Sequence, residues 1–324
     1  MPLCLSVNRS EANSVLQTIR NLGLLNENYR VVSLDGLVLI PIIDVDVELI
    51  RNLVGEYSVV ECNPPRRSVR ASVKMPSLDH LGEVVIVRKN VLDHISAEEL
   101  VQRIRVTYPK VRAIWIKEDT SEIYRKPILK LLWGEEIREI AVKEHGILFK
   151  VKLGEVYYNS RLAEEHHRVA SMVKHGEVVL DAFCGVGGFT LHIAASKLSI
   201  VIANDINPVA YELLVENINL NKKKLVGTAI PLNMDSRDLL TVIREESVDR
   251  IVADLPHSSL DYAEIYTKLL KRGGILHLYM VSGLSERVEQ KVLDKLSGWR
   301  IERCINVLEY APREFIYRCD LTKL

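Results

Sequence analysis

The second half of the chain keeps switching between two hydrophobic periods. Apolar runs of strand length are each followed by a helical pattern: EVVLDAF by FTLHIAAS, SIVIAND by PVAYELLVENINL, VGTAIPLN by DLLTVIRE, DRIVADL by LDYAEIYTKLLKR, and GILHLYMVS by SERVEQKVLDKL. Strands joined through crossover helices pair in parallel, and a parallel sheet is covered on both faces, so its strands read as continuous apolar runs. The last two strand-like stretches, RIERCINVLEY and EFIYRCDLT, are joined by a short Ala-Pro-Arg turn and predict an antiparallel hairpin at one sheet edge. The expected fold class is therefore α/β: a doubly wound sheet ending in an antiparallel hairpin.

At 324 residues the chain is too long for one average domain. Residues 1–63 predict a small α+β unit: a helix over Ser10 to Leu25, two strands around an Asp35-Gly36 turn, a helix over DVELIRNLVGE and a strand over YSVVECN. Residues 64–76, PPRRSVRASVKMP, carry Arg66, Arg67, Arg70 and Lys74 without an acidic residue and read as a basic linker. Residues 77–156 predict a second α+β domain, with strands over GEVVIVR, RAIWIKE, EIAVKEH and ILFKVKLGEVYY and a helix capped by Ser96 with Glu99. Residues 157–324 hold the parallel sheet.

Bulk properties mainly exclude. No run of eighteen apolar residues predicts a membrane span, and MPLCLSVNRSEANS lacks the basic-then-apolar pattern of a secretory signal. The cysteines Cys4, Cys62, Cys184, Cys304 and Cys319 form no CxxC pair, so neither a zinc site nor a disulfide framework is expected, and a reducing cytoplasm is the default. Lys+Arg and Asp+Glu both total 43, so net charge points to no partner; a nucleic-acid surface would have to be local.

In open α/β sheets ligands bind beyond the carboxyl ends of the strands. The first strand runs into Asp181-Ala-Phe183-Cys-Gly185-Val-Gly187, whose glycines permit tight turning and close approach to a ligand. The second ends at Asp205, where a carboxylate can accept both ribose hydroxyls of an adenosine; Ile206 and Asn207 follow, with Asn207-Pro208 capping the next helix. Asp235-Ser236 ends the third, within reach of an adenine amino group. The glycines do not spell GxGxxG, and Asp181 would repel a pyrophosphate. An acidic rim suits S-adenosylmethionine, which carries a sulfonium and an ammonium, and no metal is expected. The fourth strand ends in Asp254-Leu-Pro256, a turn that can grip a target base or simply start the next helix.

Taken with IYRKPILKLLWGEE, VYYNSRLAEEHHRV, DAFCGVGGF, NDINP, ADLP and EYAPREF, nearly the whole chain resembles the archaeal and eukaryotic tRNA (guanine-37-N1)-methyltransferase family and its wyosine-pathway relatives. The resemblance implies a class I S-adenosylmethionine methyltransferase preceded by two small α+β domains, the first recognising tRNA and the second contributing to the substrate site. It implies methylation of N1 of guanosine 37. The alternatives are C7-methylation of the tricyclic wyosine precursor at the same position, alone or as a second activity, and aminocarboxypropyl transfer to it. Glu165 matches the family's general base and Arg125 its substrate arginine; Tyr157 and His166 join the cofactor set. Arg66, Arg67, Arg70, Arg125, Lys126, Lys130 and Arg161 are the expected tRNA contacts. The chain departs from the family at Ser160 for proline, His166 for arginine, and Asp254 for the asparagine of Asn-Leu-Pro. The expected partner is tRNA, with no membrane, and the chain acting as a cytoplasmic monomer.

The chemistry is consistent with that assignment. Guanine N1 carries a proton at neutral pH, so a base must remove it before N1 can attack, and charge developing on O6 needs a cationic donor. An ionised Asp254 offers only acceptors to N1–H and N2–H₂. Two carboxylates as close as Asp254 and Glu165 are expected to be should raise the pKa of at least one.

Overall fold

The computed structural model describes residues 2–34, 36–43, 57–65, 78–121, 124, 126–283, 286–311 and 313–324. They cluster as two units, Met1–Met75 and Pro76–Leu324.

In the first unit, strands β1 (Leu3–Asn8), β2 (Val32–Leu34), β3 (Leu37–Ile42) and β4 (Ser58–Glu61) form an antiparallel sheet in the order β2-β3-β1-β4. Helix α1 (Ala12–Asn21) places Ala12, Val15 and Ile19 at three- and four-residue spacing against Leu5, Val7, Ile40 and Ile42 of the sheet. The helix is shorter than the apolar pattern predicts, because the chain leaves it through Gly23 at φ 68°. The helix expected over DVELIRNLVGE lies outside the described residues, as do Asp35 and the linker residues Arg66, Arg67, Arg70 and Lys74.

The second unit opens with a four-stranded sheet, β5 (Leu78–Leu81), β6 (Val84–Arg88), β7 (Ala113–Thr120) and β8 (Pro127–Gly134). Its only parallel pair, β6 with β7, is bridged by helix α2 (Ala97–Thr107), whose Ser96 side chain accepts a hydrogen bond from Glu99 N at 3.2 Å. A hairpin follows, β9 (Glu139–Glu144) and β10 (Ile147–Lys152). The segment beyond it enters helix α3 (Ala163–Met172).

The large sheet contains β11 (Val178–Asp181), β12 (Ile200–Asn204), β13 (Thr228–Leu232), β14 (Val248–Ala253), β15 (Leu270–Gly283), β16 (Trp299–Ala311) and β17 (Glu314–Lys323), in the order β13-β12-β11-β14-β15-β17-β16. Strands β11 to β15 are parallel, and β17 lies antiparallel between β15 and β16. Helices α4 (Gly188–Ser196), α5 (Pro208–Asn221), α6 (Ala263–Leu269) and α7 (Val288–Lys295) occur where the 3.6-residue periodicity predicts them, while DLLTVIRE contributes only a 3-10 helix, Ser236–Thr241. This is the doubly wound sheet with a terminal hairpin expected of a class I methyltransferase. The free edge of β10 is tied to α5 by side chains: Asn217 exchanges hydrogen bonds with Lys150 N and O, and Asn221 with Leu148 N and O. No helix among the described residues is long and apolar enough to cross a membrane.

The cysteines correct the sequence reading, which expected no disulfide. Cys4 of β1 is bonded to Cys62 just past β4, and Cys304 to Cys319, which face each other across the β16–β17 pair. Separations of 58 and 15 residues carry no motif; only strand pairing brings the Cα atoms to 5.9 and 4.1 Å. Cys184 is buried and free. Alkylation of the denatured, unreduced protein is expected to label Cys184 alone, and all five cysteines after reduction, as read by mass spectrometry. By the chain-entropy relation, removing the Cys4–Cys62 crosslink as Cys4→Ser should destabilise the first unit by about 4 kcal/mol, measurable by denaturant unfolding.

Candidate active site

The carboxyl ends of β11, β12, β13 and β14 converge on one cavity of about 490 Å³. The β11–α4 loop forms its floor. Gly185 and Gly187 have φ of 54° and 98°, which side-chain-bearing residues rarely adopt. A Cβ on Gly187 would lie 2.6 Å from Leu214 Cδ1, and one on Gly188 2.5 Å from the His166 ring, so both glycines are also required by close packing.

The acids at the strand ends are held differently. Asp205 accepts hydrogen bonds from Gly185 N and Asn207 N, both at 2.8 Å; burial nevertheless pushes its carboxyl up from the ordinary value. Asp235 caps the 3-10 helix through Arg237 N at 2.9 Å and pairs with the Arg237 guanidinium at 3.1 Å. Asp254 is among the lining residues, but its Oδ1 is sealed from solvent and lacks a hydrogen-bond partner; burial first, then the Glu165 charge, push its carboxyl up to about 6 against the opposing effect of His166.

Of the other expected cofactor residues, Tyr157, His166, Phe183, Gly185, Ile206, Asn207 and Ser236 line the cavity, as does Pro256. Asn207 also caps α5 through Val209 N, and the Ser236 hydroxyl is turned inward to Ala182 O at 2.8 Å. Asp181 does not reach the surface. It is 0% exposed and accepts from Thr190 N and Oγ1, which leaves Oδ1 unpartnered; burial raises its carboxyl to about 7.

Glu165 is also absent from the lining. It is 7% exposed, and Arg318 Nη1 donates to both its oxygens at 2.8 and 2.9 Å. Arg168 Nε, at 2.6 Å, and the Tyr279 hydroxyl, at 3.0 Å, add further hydrogen bonds to Oε1. Arg161 Nε stands 3.1 Å from Asp79 Oδ1, Lys126 pairs with Glu155 at 2.8 Å, and Lys130 is exposed on β8. Arg125 lies outside the described residues.

Several functional candidates had no signature in the sequence. Lys117, Thr120 and Tyr124 bring the end of β7 and the segment after it to the cavity, and Tyr310 brings β16. The carboxyl end of β7 was the available signal, by the same rule applied to the large sheet. Beneath His166, a carboxylate–imidazole network also went unseen. Glu144 Oε2 lies 2.8 Å from His166 Nδ1 and 3.3 Å from His192 Nε2, and the Tyr158 hydroxyl donates to Oε1. These hydrogen bonds outweigh burial and hold the Glu144 carboxyl at about 2, while burial lowers His192. Glu144, His166 and His192 have donor atoms of the metal-ligating kind within 4.8 Å of one another. Their visible role is to lock the His166 ring against Gly188.

Residues 140–308 match the family model of the TRM5/TYW2 methyltransferase domain, and residues 4–50 that of the tRNA methyltransferase 5 N-terminal domain. The chain is 31% identical to the tRNA (guanine(37)-N(1))-methyltransferase Trm5b of Pyrococcus abyssi, over 99% of this chain and 98% of that protein. The fold is similar to aTrm5 in its complex with tRNALeu, with a TM-score of 0.69, 25% identity and full coverage of both chains. It is similar also to Methanocaldococcus jannaschii Trm5 in complex with adenosine, at a TM-score of 0.65 and 26% identity over 99% of each chain. With an acid-rimmed cavity at the carboxyl ends of a doubly wound sheet, and with sequence likeness along nearly its whole length, the chain belongs to the TRM5/TYW2 methyltransferase family.

Proposed function

We propose that this chain methylates N1 of guanosine 37 in tRNA, using S-adenosylmethionine. The observation that carries the reading is the cavity itself: one space is bordered by the nucleoside-type acids of β12 and β13 and by the Asp254–Pro256 turn, so a donor and a base fit side by side. The full-length likeness to a guanosine-37 methyltransferase supports the choice of base.

The cofactor fits on the chain's own features. Asp205 lines the cavity beside the glycine loop, and Asp235 stands at the next strand end. Asp205 would hold the ribose hydroxyls and Asp235 the adenine amino group. When bound, S-adenosylmethionine supplies an electrophilic methyl group on a sulfonium. The residues have three tasks: to bind and align the two partners, to remove the N1 proton, and to offset charge on O6. Lys117 and Tyr124 reach the cavity from the middle sheet and form the substrate side with Tyr157 and Pro256. Lys126, Lys130 and Arg161, together with Arg66, Arg67, Arg70 and Arg125, would meet the tRNA backbone. We propose that the chain acts as a monomer in the cytoplasm.

The direct test is nucleoside mass analysis of a tRNA transcript carrying guanosine 37 after incubation with enzyme and labelled S-adenosylmethionine. One added methyl on guanosine, lost when position 37 is another base, is expected. No methylated guanosine, or transfer only to a tricyclic base, would overturn the reading. Asp205→Ala removes a charged hydrogen-bonding group of the kind worth about 1.5–3 kcal/mol. Calorimetry should therefore show S-adenosylmethionine binding weakened by roughly tenfold to a hundredfold, with the unfolding transition retained; unchanged affinity would remove Asp205 from the ribose site.

A further inference from the structure

We infer that Glu144, His166 and His192 form a binding site for a transition-metal dication, with Zn²⁺ as its occupant. The inference goes beyond the reaction proposed above and does not rest on it.

The three side chains come from three elements. Glu144 ends β9, His166 lies near the start of α3, and His192 lies in α4. Their spacing in the chain matches no ligand motif, which is why the sequence reading expected no metal. All three are buried, at 4%, 6% and 4% exposure. One carboxylate oxygen meets two imidazole nitrogens: Glu144 Oε2 stands 2.8 Å from His166 Nδ1 and 3.3 Å from His192 Nε2. The three donor atoms lie within 4.8 Å of one another. Ligands at about 2.0–2.1 Å from a tetrahedral Zn²⁺ stand roughly 3.4 Å apart, so small side-chain shifts seat an ion among them.

Hydrogen bonding leaves this set incomplete. His166 and Glu144 satisfy each other, but His192 Nε2 is aimed off the same oxygen and is sealed from solvent without a hydrogen-bond partner. A buried polar nitrogen left in that state is unfavourable. A cation between the three donors removes the penalty, because metal ligands converge on a common centre and need not point at one another. Binding requires the His166 proton to move from Nδ1 to Nε2, a tautomer change that leaves the ring neutral. One carboxylate with two neutral imidazoles is a borderline donor set. It suits zinc better than magnesium or calcium, which take oxygen ligands.

The surroundings fit as well. The Tyr158 hydroxyl donates to Glu144 Oε1, the oxygen that the histidines leave over, as outer partners of ligating carboxylates do. His145 and His167 are exposed, stack on each other at 4.7 Å, and stand 5.8 and 6.3 Å, ring to ring, from His192. Four of the chain's nine histidines thus gather here, and the outer pair offers passing ligands between solvent and the buried set. A bound ion would join the β9–β10 hairpin to α3 and α4 and fix the His166 ring, which lines the cavity.

The test uses the full chain, stripped with a chelator and then dialysed against Zn²⁺. Elemental analysis after gel filtration should find one ion per chain. Co²⁺ in its place should give the visible absorption of a four-coordinate site, with water as the fourth ligand, and thermal unfolding should move up with either metal. Glu144→Gln and His192→Gln, both close in size to the native residues, should each weaken Zn²⁺ by about a hundredfold or more in competition with a chromophoric chelator. Tyr158→Phe, which removes only the outer hydrogen bond, should cost roughly tenfold to a hundredfold. Circular dichroism of the metal-free variants checks that each retains the fold. His145→Gln combined with His167→Gln should slow uptake and keep one ion per chain. No ion retained by the wild-type chain would overturn the site without any variant. Unchanged affinity in both Glu144→Gln and His192→Gln would overturn it too. Loss of the ion on replacing the exposed pair alone would do the same, by showing adventitious surface binding only.

Discussion

A chain of buried charge runs under the large sheet, and the position of the site depends on it. Arg250 of β14, 1% exposed, donates to both oxygens of Glu177, to Met172 O and, at 2.8 Å, to His277 Nε2 of β15. Arginine can only donate, so His277 Nε2 must accept and its proton sits on Nδ1, which donates to Asp320 Oδ1 of β17 at 2.5 Å. Burial, which lowers the imidazole pKa, keeps that ring neutral. Asp320 faces Arg168 and Arg318, and both guanidiniums reach Glu165. Three carboxylates therefore meet three guanidiniums, and the run is neutral overall. Removing one member would strand an uncompensated buried charge, a loss on the order of 3–5 kcal/mol.

That neutrality has geometric consequences. The β15–β17 register sets His277 opposite Asp320 and Tyr279 opposite Arg318, so one face of the hairpin presents the groups that capture Glu165. Helix α3 is clamped there, and the next residue, His166, is turned to the cavity side, where Glu144 and Gly188 hold its ring from two directions. The entry segment Tyr157 to Leu162 forms the wall above it. The antiparallel hairpin is thus more than an edge: it anchors the helix that shapes one side of the site.

The same contrast divides the acids around the cavity. Groups with full sets of donors, such as Glu165, are committed to the scaffold. Those at strand ends keep unused lone pairs, because a strand that stops at a cavity has no further neighbour to supply donors. Asp254 is the extreme case, desolvated on one oxygen and unsatisfied there.

Much of this was legible beforehand. The alternation of apolar runs and helical patterns determines a parallel sheet, since crossovers leave no other pairing, and the carboxyl ends of its strands mark where a cavity opens, lined by Asp205, Asp235 and Asp254. Local capping was equally readable at Ser96 and Asn207, because a cap is a contact over two or three residues. What the linear order could not decide were contacts between residues far apart. The Cys4–Cys62 and Cys304–Cys319 bonds, the arrival of Lys117 and Tyr124 at the cavity, and the Arg318–Glu165 pair, 153 residues apart, exist only because sheets bring distant segments together. Glu165 and Asp254 are both acids near a proposed site in the sequence. Only the folded chain determines that one is saturated by arginines and the other left with a free, desolvated oxygen, because hydrogen-bond satisfaction is a property of three-dimensional neighbours.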